Sequence, residues 1–153
     1  MSGDESRQSA SPWERMPTAT RKGLVWGLWF ITWVGLIAGV RDPVFFEYVV
    51  AFSALHALLF LALFQFRVRP FPVQVRIGYF AWVAVGTYVP YMTVLMYITL
   101  VGLATNLFIG YCPLARMMYL LPWNRDEQFS LNLLRRVFFS APMAGKFAPR
   151  PTR

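Results

Sequence analysis

The sequence is poor in the residues from which many enzymes build their sites. It contains one cysteine, one histidine and seven acidic residues in 153 positions. A single cysteine excludes an internal disulfide and a cysteine-based metal cluster. Charged residues make up only 14% of the chain, whereas soluble domains carry roughly 25%.

Hydrophobic residues, by contrast, make up 57% of the chain, with fourteen Phe, seven Tyr and six Trp. A water-soluble chain of this length encloses too small a core to bury so much apolar surface. Four apolar runs approach or exceed the length that a helix needs to cross a hydrocarbon core of about 30 Å. They cover residues 23–40, 44–66, 77–92 and 93–111. The sequence therefore predicts an all-α integral membrane protein with four transmembrane helices in residues 23–112.

Length and composition set the boundaries of these spans. Residues 77–111 would make a single helix of about 52 Å, far longer than the membrane core. The chain must turn, and Pro90 with Tyr91 marks the predicted turn. Ser, Thr, Pro and charged residues are frequent in residues 1–22, which we predict to be a disordered cytoplasmic tail. Residues 113–153 are predicted to be a basic tail on the cytoplasmic surface of the membrane.

Basic residues lie almost entirely on one side of this topology. Four spans place both tails and the 67–76 loop together, with fourteen of the fifteen Lys and Arg residues, and leave Arg41 on the other side. The positive-inside bias predicts cytoplasmic termini in a bacterial inner membrane. Because the basic residues flank apolar spans, we expect contacts with anionic lipids and none with nucleic acid. The arginines expected at lipid head groups are Arg67, Arg69, Arg76, Arg135 and Arg136.

Residues 130–139 have the pattern of a short amphipathic helix. Leu131, Leu134 and Phe138 recur at helical spacing, and two arginines flank them. Such a helix either lies along an anionic membrane surface or packs on the protein's own cytoplasmic loops. The pattern is compatible with both placements.

His56 falls near the centre of the second span, beside Ser53, Ala54 and Ala57. A polar ring at this depth is costly, so it is expected to face protein, water or a ligand. We prefer a hydrogen bond to a neighbouring helix. The alternative is axial ligation of a bacteriochlorophyll or a haem, since a neutral imidazole nitrogen binds magnesium or iron in a tetrapyrrole. This setting resembles antenna polypeptides, although Phe52 stands where those chains usually carry alanine.

Cys112 follows the fourth span in the sequence Gly-Tyr-Cys-Pro-Leu, residues 110–114. Residues 76–114 resemble a small two-span bacterial inner-membrane family, sometimes fused to rhodanese domains, that ends in Gly-x-Cys-Pro-Leu-Tyr. Ala115 replaces the tyrosine of that family. The wider chain resembles proteobacterial membrane proteins, and neither resemblance implies an established activity.

Two interpretations of Cys112 follow from its position. A redox or sulfur-handling thiol needs a lowered pKa, to which Arg116 one turn further would contribute. The preferred alternative is a small residue at a helix end, because no second cysteine or nearby histidine supports catalysis.

Small residues at a spacing of four predict close helix packing. The residues concerned, with one asparagine expected to form a hydrogen bond between helices, are Gly23, Gly27, Gly35, Gly39, Gly102, Asn106 and Gly110.

The sequence contains no coherent set of catalytic residues. We therefore expect a non-catalytic accessory or assembly subunit of a larger bacterial membrane complex, without a cofactor, in contact with lipids and other membrane subunits. The alternatives are a pigment- or haem-binding subunit that uses His56 and a small transporter or sulfur-handling protein that uses Cys112.

Overall fold

A computed structural model describes residues 11–142, and every regular element in that range is a helix. The helices are α1 (Pro12–Arg15), α2 (Thr18–Arg41), α3 (Val44–Leu63), α4 (Phe71–Tyr88), α5 (Val94–Ile109), α6 (Pro113–Tyr119) and α7 (Leu131–Phe139). Each of the four apolar runs thus forms a helix. Within the described range, α2 and α3 are long and apolar enough to cross a membrane, and α5 with α6 adds a third span if this bent pair counts as one.

The four longest helices form a bundle in which each packs against two others. α2 packs on α3 and α5, and α4 packs on the same two helices. Their apolar faces meet in a common core that includes Trp29, Leu36, Phe46, Val49, Tyr79, Val83, Met96 and Leu103. Burial of these side chains against one another fixes the rotation of each helix about its axis.

The N-terminal segment differs from the predicted disordered tail. α1 and the first turn of α2 make residues 12–15 and 18–22 helical, whereas residues 1–10 lie outside the described range. Ser11 and Glu14 form a capping box that starts α1. The ring of Trp13 then packs on α3, with its centroid 5.1 Å from that of Phe60. The contact of Trp13 with Phe60, which is far away in the sequence, thus orders a segment that its composition predicts to be disordered.

The connection between α3 and α4 differs from the predicted boundaries at both ends. α3 ends at Leu63, before the predicted end at residue 66, because Gln65 and Phe66 have φ angles of 55° and 59°. This left-handed conformation interrupts an α-helix. α4 begins before the predicted start at residue 77, because Pro70 and Pro72 fit an N-cap and a first helical turn.

The predicted turn between the third and fourth apolar runs is confirmed. α4 ends at Tyr88 and α5 begins at Val94, with Tyr91 between them at a φ angle of 66°. α5 ends where Gly110 adopts a left-handed φ of 76°, a conformation that glycine takes without a steric penalty. α6 then leaves at 97° to α5.

α7 confirms the short helix predicted near the C-terminus. Its N-cap Ser130 accepts a hydrogen bond from the backbone of Leu133. Leu133 and Val137 are buried against Tyr119 of α6. α7 therefore packs on the protein's own helices through Leu133 and Val137, whereas Leu131 of the predicted apolar face is 80% exposed, and contact of α7 with the membrane surface stays a prediction. Phe139 stays 85% exposed and lies outside that contact.

Candidate functional site

His56 lies inside the bundle, on the face of α3 that meets α2. Its ring centroid is 4.8 Å from that of Trp29 and 5.3 Å from that of Phe60. The imidazole Nε2 is buried and has no hydrogen-bond partner in residues 11–142. Nε2 therefore forms no hydrogen bond to a neighbouring helix of the described range, and aromatic rings lie beside the imidazole instead.

These rings bear directly on the cofactor alternative. Trp29 and Phe60 occupy the space beside the imidazole, and the ring centroid of Phe52 is 6.3 Å away. A bacteriochlorophyll or haem bound at Nε2 would have to displace this packing, because protein atoms enclose that nitrogen. The residues around His56 do not fit a flat macrocycle in this arrangement.

Arg76 lies one turn and a half into α4 and turns its side chain into the bundle. Its guanidinium carbon is 3.7 Å from the Phe60 ring centroid and 5.7 Å from that of Trp29. Nη1 donates a hydrogen bond of 2.8 Å to the carbonyl of Pro72, while Nε has no partner among the described residues. Cation–π contacts of a desolvated guanidinium are worth about 2 kcal/mol. Arg76 therefore joins α4 to α3 and α2, instead of contacting lipid head groups as predicted.

Tyr79 completes this buried group from the next turn of α4. Its ring centroid is 4.9 Å from that of Trp29, and its hydroxyl is buried without a partner in residues 11–142. We call Trp29, His56, Phe60, Arg76 and Tyr79 the Trp29 cluster. It brings a cation, an imidazole and a phenol together around two aromatic rings.

The Trp29 cluster contains no carboxylate. In the described part of the chain, the ion pair that the structure records joins Arg136 to Glu127 on the surface. Removing a cation from water costs several kcal/mol unless nearby groups compensate for it. Phe60, Trp29 and the Pro72 carbonyl supply that compensation at Arg76.

A cavity of about 150 Å³ lies beside the Trp29 cluster, among α4, α5 and α6. Tyr79, Asn106 and Cys112 are among the residues that line it. The side-chain amide of Asn106 forms no hydrogen bond across the helices to a described residue, contrary to the sequence-based expectation. Nearby, Trp82 Nε1 donates a hydrogen bond of 2.9 Å to Thr99 Oγ1 and links α4 to α5.

Cys112 is the N-cap of α6. Its Sγ accepts a hydrogen bond from the backbone N–H of Ala115 at 3.4 Å. Burial raises the pKa of the Cys112 thiol, and the smaller effects of Arg76 and Arg116 do not reverse this. A reactive thiol needs the opposite shift. The geometry therefore favours the helix-end interpretation, and redox use of the thiol stays a prediction.

The other arginines expected at head groups occupy different environments. Arg67, Arg69 and Arg135 are exposed. Arg136 lies beside Glu127 and pairs with its carboxylate. Three of the five predicted arginines thus remain accessible to a lipid head group.

The glycines of α2 divide into two pairs. A Cβ at Gly35 would lie 2.9 Å from Val49 Cγ2, and one at Gly39 would lie 2.2 Å from the Phe46 ring. Gly35 and Gly39 therefore let α3 approach α2 closely. A Cβ at Gly23 or Gly27 would meet nothing within 4 Å.

The glycines near the C-terminal end of α5 are less tightly packed. A Cβ at Gly102 would lie 3.7 Å from Pro113, and one at Gly110 would lie 3.7 Å from Pro142. These are ordinary contact distances. The essential property of Gly110 is its left-handed backbone.

Two closely packed glycines were not predicted from the sequence. A Cβ at Gly86 would lie 2.9 Å from Met96 Sδ, and one at Gly78 would lie 3.1 Å from Met118 Sδ. Neither belongs to a glycine pair at a spacing of four, so that motif does not find them. The role of Arg76 was missed as well, because its position beside a loop resembles that of a surface arginine.

The described helices define an all-helical membrane protein in which the buried side chains of His56 and Arg76 both contact Trp29. In residues 11–142, no group of three His, Cys, Asp or Glu side chains is placed to hold a metal ion. Comparisons with protein-family models, curated proteins and solved structures found no match to this chain. The resemblance of residues 76–114 to the two-span family stays a prediction.

Proposed function

We propose that the protein crosses a bacterial inner membrane four times, with both termini in the cytoplasm. α2 and α3 would be the first two spans, and α4 and α5 the third and fourth. At 1.5 Å per residue, the 18 residues of α4 and the 16 of α5 extend about 27 and 24 Å. Local thinning of the bilayer accommodates such a short helix at modest cost. Contact of α4 with α3 and α5 supports its placement in the same membrane-spanning bundle.

The distribution of charge supports this orientation, with fourteen basic residues on the proposed cytoplasmic side and one on the other. Fusion of a reporter after Arg153 tests it. We expect fluorescence from a green fluorescent protein fusion and no activity from an alkaline phosphatase fusion, which requires export. Phosphatase activity from that fusion would overturn the four-span topology.

Within this topology we propose a non-catalytic accessory or assembly subunit of a larger membrane complex. The observation that carries the proposal is the open face around Gly27 on α2. Gly23 and Gly27 have no neighbour within 4 Å of a Cβ position, whereas the other two glycines of the same helix pack against α3. Ile31 and Val34 continue this face and are 56% and 47% exposed.

A glycine pair followed by aliphatic residues allows close approach of another membrane helix. Among residues 11–142 the pair makes no such contact, since its Cβ positions are open. An intermolecular helix contact is therefore the use that we assign to it. The proposal requires no cofactor and no reaction.

Purification of the tagged full chain from its native membrane in a mild detergent tests the proposal. We expect defined membrane proteins to co-purify with the native chain and to be lost from Gly27→Leu. Ala51→Leu is the matched control, because Ala51 is exposed on α3 and the change places the same leucine side chain away from the open face. The thermal midpoint of each variant checks that the bundle itself is unchanged.

Recovery of the native chain with no other membrane protein bound to it would overturn the accessory-subunit proposal. Equal loss of partners from both variants would show that the contact lies elsewhere and would remove the role of the Gly27 face.

A further inference from the structure

A second surface feature runs along the outward side of α4. It is a groove of about 930 Å³ between the start of α4, the end of α6 and the segment after α6. Its two ends differ in chemistry. Arg69, Gln74, Trp123 and Asn124 lie at one end, and small or apolar residues of α4 lie at the other.

Gln74 organises the polar end. Its Oε1 accepts hydrogen bonds from Trp123 Nε1 at 3.0 Å and from Asn124 Nδ2 at 2.7 Å. Its Nε2 donates a hydrogen bond of 2.8 Å to the carbonyl of Arg69. Asn124 is buried and also donates to the carbonyl of Met118. One side chain thus ties the loop before α4 to the segment after α6, so this end of the groove has a defined shape.

The charge of the polar end is positive. The Arg69 side chain is exposed, and no carboxylate among residues 11–142 pairs with it. The residues that line the groove include no Asp or Glu. Trp123 lines the groove as Arg69 does, and Gln74 forms hydrogen bonds with both residues. Tryptophan is typical of the boundary between lipid head groups and acyl chains. This combination fits a phosphate group at the membrane surface.

The groove as a whole, from Phe71 to Ala81 along α4, has about the length of one lipid leaflet, and its apolar end is the inner part of that stretch. Ile77, Gly78 and Ala81 line that end together with Met118, whose Sδ lies 3.1 Å from a Cβ placed on Gly78. The open surface of this end therefore lies along Ile77 and Ala81, which are exposed. From Phe71 to Ala81 the helix rises about 15 Å at 1.5 Å per residue. Half of a hydrocarbon core of roughly 30 Å is the same distance. An acyl chain that enters beside Phe71 would therefore reach the middle of the bilayer at Ala81.

We propose that this groove binds one anionic phospholipid, with its phosphate at Arg69 and one acyl chain along Ile77 and Ala81. The inference rests on the membrane placement of α4 proposed above and is independent of any partner subunit. It assigns different roles to two neighbouring arginines. Arg69 lines the groove, whereas Arg67 does not and lies instead within the electrostatic reach of Glu14.

Native mass spectrometry of the purified, delipidated full chain tests this proposal. Phosphatidylglycerol and phosphatidylcholine with identical acyl chains are added in separate titrations. We expect one tightly bound phosphatidylglycerol and weaker binding of phosphatidylcholine. Arg69→Gln should weaken phosphatidylglycerol binding roughly fivefold, the factor expected for one basic side chain near a head group. Arg67→Gln is the matched control and should leave the affinity nearly unchanged.

A second variant tests the apolar end of the groove. Ala81→Leu fills this end without changing any charge and should weaken binding of both lipids, whereas Ala51→Leu on α3 should not. Equal effects of the two arginine variants would overturn the proposal in favour of diffuse surface electrostatics. An Ala81→Leu variant that binds phosphatidylglycerol like the native chain would also overturn it.

The lipid-binding proposal and the accessory-subunit proposal are tested by separate measurements. The lipid titrations use the isolated chain, so an absent partner subunit leaves their result unchanged. Reporter fusions separately test the four-span topology on which the position of α4 depends.

Discussion

Substitution of Gly39 by alanine tests the packing of α2 on α3. An added Cβ would lie 2.2 and 2.3 Å from two carbons of the Phe46 ring. Carbon atoms in favourable contact are about 3.5–4.0 Å apart. The ring of Phe46 is only 3% exposed, so it has little space into which it could move.

The magnitude of the effect follows from two opposing contributions. Overpacking in a filled core costs about 1–3 kcal/mol. Alanine is the better helix former and offsets up to about 1 kcal/mol of that cost. Gly27→Ala gains the same propensity without a clash, because a Cβ there has no neighbour within 4 Å. The difference between the two variants therefore isolates the overpacking at Gly39.

Thermal unfolding of the purified full chain in a mild detergent, followed by tryptophan fluorescence, measures this difference. For a chain of this size, 1 kcal/mol corresponds to a shift of about 2–4 °C. We expect Gly39→Ala to unfold roughly 2–12 °C below Gly27→Ala, while the midpoint of Gly27→Ala equals or exceeds that of the native chain.

A double-mutant cycle identifies the ring as the cause. Phe46→Ala removes the carbons that would clash, so Gly39→Ala should cost little in that background. Equal midpoints for Gly27→Ala and Gly39→Ala would refute the reasoning. An undiminished cost of Gly39→Ala in the absence of the ring would refute it as well.

Two further predictions concern the interior of the protein and Cys112. Arg76→Met should leave the thermal midpoint unchanged or raise it, because it removes a buried cation that no carboxylate in residues 11–142 neutralises, while it fills much of the same space. Arg76→Ala should lower the midpoint by several degrees because it leaves a cavity, and a strong loss of stability in Arg76→Met would contradict this account. Cys112 should react with iodoacetamide more slowly in the native protein than in the denatured chain at pH 8, as followed by mass spectrometry. Its raised thiol pKa lowers the thiolate fraction at that pH, and equal rates would exclude this protection.

The helices themselves were largely predictable, because their signals are local. Each apolar run forms a helix, the turn at Pro90 is present and the amphipathic segment forms α7. The observed helix boundaries differ from the predicted ones at the start of α4 and in the N-terminal segment. α4 starts early because Pro72 fits a first turn, and α1 forms because Trp13 finds Phe60.

The candidate site was only partly predictable. His56 was identified from its depth in an apolar run, but its neighbours Arg76 and Tyr79 belong to another helix. Their convergence on Trp29 depends on how three helices are rotated about their axes. The spacing of residues within one helix does not tell which face of the neighbouring helix it meets. The Trp29 cluster therefore could not be predicted from residue spacing alone.

Length, hydrophobicity and the position of charge determined that this is a helical membrane protein, because these are additive properties of short segments. They also indicated an orientation through the concentration of basic residues on one side of the proposed topology. Only the tertiary structure decided which arginines are buried, which glycines are packed and where the groove on α4 lies. These properties depend on the distances between side chains of different helices, which the mutual packing of those helices sets.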